Sequence, residues 1–182
     1  MLVSLPKAYK WLEKEKSPRI LMEALKLYGT KEIPGRKHNQ TIIDWAKEIG
    51  PPIDKWYDAD EKAWCALAMS ICAKRAGYKP PLSWSAIRAM GFQYFGRNIE
   101  KGDYAVGDLA IFNRKGGGHI GLLVGYDHEA YHILGGNQAN SFNITRIKRD
   151  RLYLVRRCPY KTLIPKPLPA LQLNGVLSTD EA

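Results

Sequence analysis

The chain has 182 residues and a formal charge of +10, from 28 basic and 18 acidic side chains. Its hydrophobic fraction of 45% and charged fraction of 25% are ordinary globular values, which excludes collagen, coiled coil and wholesale disorder. A chain this long buries roughly 70% of the surface its unfolded form exposes, so its core needs no metal or disulfide.

No apolar run reaches the roughly 18 residues that a transmembrane helix requires. The start, Met1-Leu2-Val3-Ser4-Leu5-Pro6-Lys7, lacks the apolar stretch and small-residue cleavage site of a secretory signal. Synthesis in the cytoplasm without a signal peptide is expected. Cys65, Cys72 and Cys158 form an odd set of three with no Cys-x-x-Cys spacing. They make neither a disulfide framework nor a zinc site. There is no Asp/Asn-rich calcium loop of the usual spacing. No metal and no cofactor are expected.

Residues 1–16 carry Trp11 and mixed charges and read as an N-terminal arm. Ser17-Pro18 then opens a helix, with Ser17 as N-cap and Pro18 at the first helical position. Ile20, Leu21, Ala24, Leu25 and Tyr28 repeat at helical spacing until Gly29 ends the run. Asn39 caps a second helix with apolar positions Ile42, Ile43, Ala46 and Ile49, stopped by Gly50 and Pro51-Pro52. A third helix is expected from Ala63 to Ala76, and a short fourth from Ser83 to about Gly91.

Beyond that point the periodicity becomes β-like. The expected strands are 108–112, 119–126, 130–134, 142–147 and 152–157, separated by turn residues. Helices followed by an antiparallel meander give an α+β fold. Residues 17–160 form the expected domain. Residues 161–182, with Pro165, Pro167 and Pro169, read as an extended tail that packs over the domain or projects from it.

The charge is densest in 146–157, with six basic residues in twelve. Such a run attracts polyanions or forms a solvated strand face. Its basic residues alternate with apolar ones, and no nucleic-acid recognition motif accompanies them, so no specific nucleic-acid partner is expected.

Cys65, in Trp64-Cys65-Ala66, lies at the expected start of the third helix. The helix dipole and unpaired N–H groups there favour a thiolate, and can hold an oxyanion. A small buried hydrophobe is the alternative reading. His119 follows Gly116-Gly117-Gly118 and starts the best strand pattern, where it can serve as general base. Asn137, in Leu134-Gly135-Gly136-Asn137-Gln138, ends the next strand. In a hairpin it comes near His119, where a side-chain oxygen can fix the imidazole tautomer. It also reads as an ordinary turn asparagine. Asp60 and Glu61 read as helix-start acids, Asp108 as a turn former, and Cys72 and Cys158 as structural.

Four segments together resemble the CHAP family, the cysteine, histidine-dependent amidohydrolases and peptidases. They are Trp64-Cys65-Ala66, Gly107-Asp108-Leu109-Ala110-Ile111-Phe112, Gly118-His119-Ile120-Gly121 and Gly135-Gly136-Asn137-Gln138. The upstream Gly29–Gly35 and Asn39–Gly50 segments resemble a phage and prophage branch of that family. The resemblance covers about residues 17–158. It implies a papain-like core of helices packed on an antiparallel sheet. It implies cleavage of peptidoglycan amide bonds, as an amidase or an endopeptidase. Cys65 is then the nucleophile, His119 the base and Asn137 the orienting third member. Some family members carry a glutamate two residues before the asparagine; here that residue is Gly135, so Asn137 orients the ring alone.

Trp64 and Trp84 are expected to line the substrate groove, with core packing the alternative for at least one. A monomeric endolysin or virion-associated lysin is the expected context, made in a bacterial host and acting at the cell wall. Its partners are peptidoglycan and the anionic envelope surface. A non-catalytic wall-binding module of the same fold is the alternative.

Overall fold

The computed structural model describes residues 4–14, 17–114, 116–160, 165–172 and 175–179. The chain mixes helices with antiparallel sheet, as expected of α+β. No helix among the described residues is long and apolar enough to cross a membrane. Residues 1–3 and 15–16 of the expected arm, and 161–164, 173–174 and 180–182 of the expected tail, lie outside the described residues.

The arm forms a 3-10 segment, Lys7–Glu13, that buries Tyr9 and Leu12. Helix α1 spans Arg19–Leu27 and buries Ile20, Leu21, Ala24 and Leu27. It starts one residue later than the Ser-Pro signal implies, because Pro18 keeps an extended ψ of 142°. Helix α2 spans Gln40–Ile49. Asn39 caps it by accepting from the Thr41 N–H at 2.9 Å, and Gly50 ends it at φ 93°. A single further turn, α3 over Ile53–Trp56, follows the proline pair.

Helix α4 spans Cys65–Arg75, and Cys65 through Ala73 are all buried. It lacks a polar face because α1 and α2 cover one side and the sheet covers the other. The expected fourth helix resolves into two 3-10 segments, Ser83–Ile87 and Ala89–Tyr94.

The sheet contains β1 (Arg97–Asn98), β2 (Leu109–Arg114), β3 (Gly117–Tyr126), β4 (Ala130–Gln138), β5 (Ser141–Lys148) and β6 (Leu152–Arg157). The order is β1-β6-β2-β3-β4-β5, all antiparallel. One face packs against the helices. The other carries a second apolar cluster, including Phe112, Leu123, Ile133 and Val155. With both faces covered, β4 is buried along its whole length rather than alternating.

The tail packs over the domain. Its backbone pairs with the loop before β2 and with the end of β3: Val106 N–H to Lys166 O, and Leu171 N–H to Tyr126 O at 2.7 Å. Gly125 makes room for it, since a Cβ there would sit 2.4 Å from Leu171 Cδ1.

Part of the basic run at 146–157 braces the protein: Arg146 and Arg157 are buried, whereas Lys148 and Arg149 are exposed. Arg157 grips Asp108 with two hydrogen bonds, of 2.7 and 2.8 Å. Arg146 grips Asp127, Arg156 donates to Phe95 O and Gly96 O, and Arg149 stacks over Tyr126 and Tyr131. Asp108 also accepts the Ala105 N–H, so it is a turn former and the anchor of β6 together.

Candidate active site

Cys65 is the first residue of α4, which packs against β3 and β4. Burial dominates and pushes the thiol above its ordinary 9.0; the Ile120 N–H, the Arg114 charge and the two helix-start N–H groups oppose it without prevailing. The sequence favours a thiolate on position alone. Cys65 is only 4% exposed, so burial opposes the thiolate that the helix start favours.

His119 is fully buried. Its Nε2 lies 3.0 Å from Gln138 Oε1. The amide orientation follows from the network around it. Gln138 Nε2 donates to Ile133 O, Asn143 O and Asn143 Oδ1 at 3.2, 2.8 and 3.0 Å. The carbonyl oxygen is therefore the atom that faces the ring, and a carbonyl only accepts. Nε2 of the neutral imidazole carries the proton, which leaves basicity to Nδ1.

The sequence assigns this orienting role to Asn137; the hydrogen bond belongs to its neighbour. The reason lies in the strand register. Gly135 faces Asn143 and Gln138 faces Ser141, so two β4 residues oppose the single Phe142 of β5. This bulge shifts the alternation by one position. Asn137 takes φ 58° within it, and the two-residue turn Ala139-Asn140 follows with φ 47° and 56°. The only sequence signal for Gln138 is its place in the same Gly-Gly-Asn-Gln segment.

The two tryptophans divide. Trp64 is fully buried, donates to Glu32 Oε1 at 2.7 Å and packs against Trp45. It is a core residue, not part of a groove. A Cβ on Gly136 would lie 2.5 Å from its ring, so that glycine is what lets β4 approach α4 beside Cys65. Trp84 is exposed and stands edge-to-face with Trp56.

Asp60 is not a helix cap. It is a fully buried carboxylate that accepts from the Ile33 and Asn39 N–H groups and pairs with His38 Nδ1 at 3.1 Å. Burial works against its ionisation, but those N–H groups and the His38 ring hold the carboxyl below its ordinary 3.8. It ties the 33–39 loop to the segment entering α4. Residues 29–32 in turn hydrogen-bond with Asn140 and Phe142, beside Gln138. The loops around the site are thus laced to the β4–β5 turn and to β5.

Cys72 and Cys158 are buried, and burial raises both thiols, Cys158 to about 12. No group of three or more His, Cys, Asp or Glu among the described residues is arranged to hold a metal ion. A comparison with protein-family models finds no match, and a comparison with curated proteins finds none either.

Proposed function

We propose that this protein is a cysteine-dependent hydrolase of peptidoglycan amide bonds, with Cys65 as nucleophile, His119 as general base and Gln138 as the residue that orients it. The observation that carries the reading is the hydrogen bond from His119 Nε2 to Gln138 Oε1, on a strand that packs against the helix headed by Cys65. That arrangement fits a papain-like core. The resemblance of the four motifs to CHAP enzymes supplies the substrate class.

The chemistry follows from the tautomer. His119 Nδ1 takes the Cys65 proton as the sulfur attacks the scissile carbonyl carbon. Burial raises the thiol, so in this reading proton transfer accompanies attack instead of preceding it. The Cys65 N–H, at the start of α4, holds the oxyanion. The C–N bond breaks as His119 protonates the leaving amine, giving a thioester. Water, losing a proton to His119, then hydrolyses that thioester and restores the thiol. A phage endolysin or virion-associated lysin, acting at the wall of its host, is the setting this reading fits. Attraction to the anionic envelope comes from the net charge of +10.

The test is turbidity loss of purified peptidoglycan with wild type and Cys65→Ala side by side, followed by mass spectrometry of the fragments. Clearing by wild type alone is expected. Clearing by a folded Cys65→Ala, or by neither protein, would sink the assignment.

A further inference from the structure

Trp56 and Trp84 are 43% and 40% exposed, whereas Trp45 and Trp64 are almost fully buried. Large exposed indoles are uncommon unless something covers them. Their ring centroids are 5.8 Å apart with planes at 88°, so they form a right-angled corner. Tyr57 braces Trp56 from behind at 5.7 Å, itself buried with its hydroxyl donating to Lys62 O. Lys62 Nζ lies 4.1 Å over the Trp56 ring and pairs with Asp58 at 2.7 Å. Lys62 therefore covers one face of Trp56, and the exposed apolar surface of the corner is that of Trp84 and the rest of Trp56.

Two chain segments lead from this corner toward the site. From Lys62 the chain runs three residues to Cys65, a span of at most about 10 Å. From Trp84 the 3-10 segments lead to Ala89 and Met90, which pack on Gly118, the residue before His119. One tryptophan thus sits upstream of the nucleophile and the other upstream of a wall against the base.

We propose that Trp56 and Trp84, with Lys62, form a sugar-stacking platform that holds the glycan strand of the substrate next to Cys65. A pyranose ring offers flat C–H faces and a polar hydroxyl rim, which matches exposed indole surface beside the Lys62–Asp58 ion pair. A lipid would need a wider unbroken apolar patch without those charges. This rests on the reading of the protein as a peptidoglycan hydrolase. It sharpens that reading, because a sugar held beside the nucleophile puts the scissile amide at the sugar–peptide junction.

The test uses the full chain as Cys65→Ala, titrated with soluble β-1,4-linked N-acetylglucosamine oligomers and, separately, with a sugar-free peptide of the stem type. Indole N–H NMR signals are followed, with Trp56→Phe and Trp84→Phe identifying two of them. The sugar should shift the Trp56 and Trp84 signals and leave Trp45 and Trp64 in place, with a Kd of about 1 mM or tighter. Trp84→Ala should weaken it at least about tenfold. Shifts with the peptide and not the sugar, or none at either exposed tryptophan, would overturn the platform. Cleavage of whole peptidoglycan by wild type is measured in parallel. Cleavage without sugar-induced shifts overturns the platform alone. Sugar-induced shifts without cleavage support the platform and remove the hydrolase reading.

Discussion

His119 Nε2 and Gln138 Oε1 are joined at 3.0 Å, and the residue between Gly136 and Gln138 is displaced into a bulge. The orienting role should therefore follow Gln138. Gln138→Ala should lower kcat by about 10²–10⁴-fold with little change in KM, because an unoriented imidazole no longer presents Nδ1 as base. Asn137→Gly keeps the positive φ without strain and should leave turnover close to wild type. Steady-state kinetics on soluble peptidoglycan fragments check both. The reverse ranking would return the role to Asn137.

Cys65 titration gives a second check. Burial raises the thiol, so the free enzyme should hold a neutral sulfur at pH 7. The rate of alkylation by iodoacetamide should then rise with pH along a single curve whose midpoint lies above the ordinary 9.0. A plateau already present at pH 5–6 would instead mean a preformed thiolate–imidazolium pair, contradicting the proton transfer drawn above.

A third prediction concerns acid stability. Asp127 accepts from Arg146 and from the Glu129 and Ala130 N–H groups, and lies 2.7 Å from His132 Nε2; Tyr9 meets His132 Nδ1 at 2.9 Å. The Arg146 guanidinium is the largest influence, and it holds the Asp127 carboxyl far below the usual carboxylate range. Burial lowers His132 from its ordinary 6.5. Both shifts mean that the unfolded chain binds protons more readily, so stability rises with pH through each window. The His132 contribution is complete above about pH 6.5 and is lost as pH falls through its lower folded value. The Asp127 contribution is complete above about pH 4 and is lost at more acid pH. Melting temperature should therefore fall in two stages from pH 8 to pH 2. His132→Gln should flatten the first stage. Asp127→Asn should flatten the second and cost about 3 kcal/mol at neutral pH by stranding Arg146. A Tm independent of pH over that range would refute the linkage.

Gly136 offers a packing test. A methyl there would strike the Trp64 ring, so Gly136→Ala should destabilise by about 1–3 kcal/mol. Trp64→Phe removes the struck part of the ring, and the double variant should recover part of the loss. Denaturant melts of the two singles and the double measure the coupling. Strict additivity would mean that the two residues do not share this contact.

The sequence by itself determined the element types and most of their order. Asn39 and Gly50 bracket α2 because a capping side chain and a left-handed glycine are local chemistry. The change from helical spacing to β-like runs after residue 91 placed the sheet for the same reason. The cysteine at the head of α4 and the histidine on β3 were legible from position and neighbours.

What tertiary structure alone decided was which side chains meet. The bulge in β4 is set by pairing with β5, and it passed the histidine partner from Asn137 to Gln138. The state of the Cys65 thiol depends on how deeply α4 is buried, a distance effect that no local spacing encodes. Trp64 and Trp84 look alike in the sequence, yet Gly136 on a distant strand receives the first, while Trp56 meets the second at the surface. The basic run looked like one patch; Asp108 and Asp127, far away along the chain, turned two of its arginines inward. Each of these is a contact between residues remote in sequence, and its energy exists only once the chain has brought them together.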